Sequence, residues 1–128
     1  MDNTLETILA TATPGKLVAM LYKRAIQDLR NATELFDLEG DPKSKADAVR
    51  LILHAQQIIN ELNKSINEKC NIDLASNMKR IYEYMQYRLT EAIAKQDKNP
   101  INEIIGLLVE LCEAWETIIN PINNAKGD

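Results

Sequence analysis

Four times along this chain of 128 residues, apolar side chains recur at spacings of three and four, a periodicity that belongs to helices. The first stripe runs Val18, Tyr22, Ala25, Leu29, Ala32, Phe36, and the second Ala48, Ile52, Ala55, Ile59, Leu62, Ile66. The third takes Ala75, Met78, Tyr82, Met85, Leu89, Ala92, and the fourth Ile101, Ile104, Leu108, Leu111, Trp115, Ile118. Strand-like alternation is missing. Thr13-Pro14, Asp41-Pro42 and Asn99-Pro100 each suit a helix start, because the side-chain oxygen accepts an orphan N–H and proline at the first helical position has none to waste. A polar break from Asn67 to Asn71 separates the second and third stripes, and Asn120-Pro121 marks the end of the fourth.

Amphipathic helices joined by short links bury their stripes most simply against one another, so the expected fold is all-α: an antiparallel four-helix bundle with a short N-terminal arm. The expected limits are an arm over 1–13, the bundle over 14–120 and a disordered tail over 121–128. In the arm, Leu5, Ile8 and Leu9 have the spacing of a short amphipathic helix or lid. With 45% hydrophobic and 27% charged residues, one domain of this size buries a core without disulfides or metals to hold it.

Several function classes drop out. A net charge of −4 with no basic cluster offers no field for nucleic acid. Met1-Asp2-Asn3-Thr4-Leu5-Glu6 has no charged and apolar leader pattern, and apolar residues nowhere run to membrane-spanning length, so no membrane insertion and a cytoplasmic location are expected. Cys70 and Cys112 have no metal or redox spacing and are expected to be buried thiols. His54 sits mid-helix with no nucleophile beside it in the sequence and is expected on the helix surface. A carboxylate-bridged metal pair needs repeated Glu-x-x-His, and a phosphate loop needs clustered glycines, whereas Gly15, Gly40, Gly106 and Gly127 are dispersed. No catalysis, cofactor or metal is expected.

What remains is protein binding. At about 100° per residue the apolar positions of the fourth helix cover roughly 220°, wider than one core-facing stripe requires. The second helix adds Leu51 and Ile58, and the first adds Leu17, Leu21, Leu35 and Met20. Leu51, Ile58, Ile104, Leu107 and Leu111 are therefore the candidate groove for an amphipathic helix from another chain. Tyr87 points away from its stripe and is an exposed contact candidate, whereas Tyr22, Tyr82 and Trp115 lie on core stripes.

The run Thr11-Ala12-Thr13-Pro14-Gly15-Lys16-Leu17-Val18-Ala19-Met20-Leu21-Tyr22 resembles the opening of helix one in the flagellar export chaperone family FliS. Ala55, Ile58-Ile59, Glu61-Leu62, Ser65-Ile66, Leu74-Ala75, Asn77-Met78, Ile81-Tyr82, Tyr84-Met85, Arg88-Leu89, Glu110-Leu111 and Ala114-Trp115 continue the likeness in order. The resemblance implies a cytosolic chaperone that binds the C-terminal segment of flagellin, prevents premature polymerisation and, when loaded, docks on a component of the export gate. A monomer or weak dimer is expected, with Leu5, Ile8 and Leu9 as a displaceable lid. The alternative reading is a homodimeric regulatory or adaptor bundle with a different protein partner.

Overall fold

The structure is a computed structural model that describes residues 14–38, 41–66 and 72–119. They form four helices: α1 (Pro14–Phe36), α2 (Pro42–Lys64), α3 (Ile72–Lys95) and α4 (Lys98–Ile119). Leu5, Ile8, Leu9, Cys70 and the tail lie outside the described residues.

Local chemistry sets the helix limits. Asp41 caps α2: its carboxylate accepts from the Lys43 N–H at 3.1 Å and from the Ser44 hydroxyl at 2.7 Å, and Pro42 opens the helix. The Ser44 bond, with the two backbone amides behind it, holds the Asp41 carboxyl below its usual range. The fourth helix departs from expectation. It opens at Lys98, two residues before Pro100, because Asp97 takes the capping role and accepts from the Asn99 N–H at 2.9 Å. Pro100 then falls within the first turn, where a missing N–H costs no intrahelical bond. The α3–α4 link is only Gln96 and Asp97, and Gln96 turns the chain with φ of 52°, the left-handed conformation that ends helices.

α1 packs along α2 and α4, and α3 completes the ring by touching α2 and α4 more sparsely. α2 and α4 thus stand diagonally across the bundle. Trp115, near the end of α4, donates its indole N–H to the Gly15 carbonyl at 2.8 Å, and Lys98, at its start, pairs with Asp37 just beyond α1. Bonds at both ends therefore run α1 and α4 in opposite directions.

Side-chain size explains the uneven packing. The buried face of α1 carries Ala25 and Ala32, and that of α2 carries Ala48 and Ala55, all without exposed surface. Small residues seven apart on both helices let the backbones approach. α3 presents Tyr82, Met85 and Leu89 between Ala75 and Ala92, and its contacts with α2 and α4 are sparser. The core is completed by Ile52, Ile58, Ile59 and Leu62 of α2 and Ile101, Ile104 and Leu108 of α4. Leu21, a flanking residue by its spacing, is also buried, whereas Met20 is exposed.

Two polar links cross this core. The hydroxyls of Tyr22 and Tyr82 meet at 2.5 Å and join the diagonal pair α1 and α3. Burial raises the pKa of both phenols, and for Tyr82 the bond to Tyr22 raises it further. His54 is buried, not on the surface. Its Nδ1 bonds the carboxylate of Asp28 on α1, which is itself buried and paired with Arg24 at 3.3 Å. Asp28 lies 26 positions away, so sequence adjacency could not disclose it.

Candidate protein-binding groove

Because α3 sits away from its neighbours, a furrow of about 430 Å³ stays open between α3 and α4. Its α3 wall is Arg80, Ile81 and Tyr84, and its α4 wall is Glu103, Leu107, Glu110 and Leu111. Ile81, Leu107 and Leu111 rest on the core from outside, so their outer surfaces form an apolar floor. Helical periodicity carries the same faces further. Leu74 lies seven residues before Ile81, and Ala114 and Ile118 lie seven after Leu107 and Leu111. All three are exposed, Leu74 at 57% and Ile118 at 66%.

One end of the furrow is closed by a polar network. The Tyr84 hydroxyl donates to Glu103 Oε2 at 2.6 Å, and Arg88 Nε donates to Glu103 Oε1 at 2.7 Å while its other arm reaches Glu91. Lys95 also bonds Glu91, at 3.2 Å. The bonds from Tyr84 and Arg88 hold the Glu103 carboxyl below its usual range, and those from Lys95 and Arg88 do the same for Glu91. The hydrogen bond to the Glu103 carboxylate raises the Tyr84 phenol. Further along, the side chains of Arg80 on one lip and Glu110 on the other make no hydrogen bond or ion pair with any described residue.

The five groove residues expected from sequence do not come together. Leu107 and Leu111 line the furrow. Ile58 and Ile104 are core residues, 2% and 0% exposed, because the tight α1–α2 and α1–α4 contacts cover them. Leu51 packs at the edge of the core on α2, diagonally across from α4. Tyr87 is 64% exposed, as its position off the stripe implied, but lies outside the furrow. Sequence reasoning missed Arg80, Ile81, Tyr84, Glu103 and Glu110 as groove residues. Only the spacing of Ile81 and Tyr84 on the flank of the third stripe pointed to them.

A second depression, between α1 and α4, is lined mostly by polar residues and bridged by Lys23 and Glu116 at 3.2 Å. Cys112 at its base is free and buried, and burial, reinforced by its contact with Glu116, pushes the thiol up to about 11. Such a thiol is a poor nucleophile. Among the described residues no three His, Cys, Asp or Glu side chains are placed to hold a metal ion, and no helix is long and apolar enough to cross a membrane.

The sequence profile of the family described as Flagellar protein FliS matches residues 1–122. The chain belongs to the FliS family. It is 33% identical over 109 residues to the flagellar secretion chaperone FliS of Bacillus subtilis, covering 85% of this chain and 77% of that one. It is 31% identical over 115 residues to the FliS of Salmonella typhimurium, covering 90% and 83%. With FliSB of Pseudomonas aeruginosa the figures are 30% over 115 residues, 90% and 88%. These FliS relatives are all named flagellar secretion chaperones, and the four-helix bundle is the body on which this member builds its furrow.

Proposed function

We propose that this chain is a cytoplasmic export chaperone that binds the C-terminal segment of flagellin, keeps it from polymerising prematurely and brings it to the export gate. Membership of a family of flagellar secretion chaperones carries the reading. The furrow supports it, since an open apolar floor edged by charge suits a segment that is disordered alone and folds on binding. Catalysis has no part in it. His54 is committed to Asp28, and Cys112 is buried as a thiol.

The test is calorimetric titration with a peptide comprising about the last fifty residues of the flagellin from the same organism, followed in parallel by circular dichroism. A 1:1 isotherm with a gain in helix and a negative heat-capacity change is expected. No binding at high micromolar peptide would remove flagellin as the partner.

A further inference from the structure

We infer that the buried Asp28–His54 pair is the register key of the α1–α2 seam: it holds the two helices at one offset and excludes offsets of seven residues, within one chain or between two copies of it. Apolar packing creates the need for a key. Ala25 and Ala32 on α1 and Ala48 and Ala55 on α2 repeat at seven, so moving one helix by seven residues, about 10 Å, brings alanine level with alanine again. Shifts of three or four residues instead put Leu51, Ile52, Ile58 or Ile59 in the place of Ala55, and the close approach fails. Small offsets are thus rejected by size, and an offset of seven only weakly.

The polar pair supplies what size does not. The side chains of Asp28 and His54 are 4% and 9% exposed, and Nδ1 meets the carboxylate at 2.5 Å. At the same spacing of seven, Asp28 interrupts a row that runs from Leu21 to Leu35, and His54 stands between Asp47 and Glu61. A slip of seven in either direction therefore sets Asp28 level with Asp47 or Glu61, acid beside acid, and His54 level with Leu21 or Leu35. Arg24 bonds Asp28 within α1 and follows it into any register, so it carries no information about the offset. Nδ1–H donates to the carboxylate whether or not Nε2 also holds a proton, so the key works in either charge state of the imidazole. Five residues, 37–41, join α1 to α2. They restrain a slip within one chain but not the pairing of α1 with α2 of a second copy, and exchange between copies is where the key matters most.

The test replaces both partners in the full chain, Asp28→Leu with His54→Leu, because removing one alone strands the other. Circular dichroism and the urea midpoint should be unchanged or raised, since apolar replacement of a buried ion pair is commonly neutral or stabilising. Two-dimensional amide NMR should then show a second set of signals for α1 and α2, or light scattering a dimer, at about a tenth or more of the protein. In that second form the cross-relaxation contacts of the Ala32 methyl should be displaced by seven residues along α2. A single monomeric species overturns the proposal at any stability: with the midpoint kept, packing alone sets the register, and with the midpoint lowered the pair is an ordinary stabilising contact. Extra signals without displaced contacts overturn it as well, as does a second register in the unaltered protein. If the leucines overfill the seam and helicity falls, Asp28→Ala with His54→Ala is read in the same way.

Discussion

Tyr22 and Tyr82 share one hydrogen bond between two buried hydroxyls, so removing either oxygen strands the other. A buried hydroxyl without a partner costs about 1–2 kcal/mol, more than the net worth of the bond it had. Tyr22→Phe and Tyr82→Phe should therefore each destabilise the protein by about that amount, and the double variant by no more than either single one. Urea unfolding of the four proteins in this cycle reads the coupling directly. Additive losses would mean that the hydroxyls do not depend on one another. The Asp28–His54 pair obeys the same logic with charge added, since Arg24 alone would be left to balance a buried carboxylate.

Among the elements, the α3–α4 hairpin has the tightest link, and Gln96 at its corner holds a backbone conformation that favours glycine. Gln96→Gly should stabilise the protein by about 0.5–1 kcal/mol, after allowing for the greater freedom glycine gives the unfolded chain. Equal or lower stability in urea would show that the corner is unstrained. The helices themselves were legible in the sequence because a stripe at spacings of three and four survives any choice of neighbours. The start of α4 was not, because Asp97 and Asn99 are both good caps and the Gln96 turn decides between them. The groove was half legible for a related reason. The breadth of the apolar face on α4 signalled more apolar surface than one core contact needs, but periodicity cannot say which neighbour covers which flank. Ala25, Ala32, Ala48 and Ala55 settle that by drawing α1 and α2 together, which buries Ile58, while α1 against α4 covers Ile104.

Across the whole molecule, packing is tightest around α1 and thinnest around α3, whose first turn exposes Ile72 and Leu74. Opening free energy follows such differences, so amide hydrogen exchange at neutral pH should run fastest in the first half of α3 and slowest in the middles of α1 and α2. Uniform protection over all four helices would contradict this gradient. The same hairpin is fastened at its short corner by Gln96 and Asp97 and by the Arg88–Glu103–Tyr84 cluster. Two arms joined at one end behave as tweezers. A small swing about the corner moves the far ends of both arms further than it moves Tyr84 and Leu107, so any opening of the hairpin widens the furrow from the tips inward.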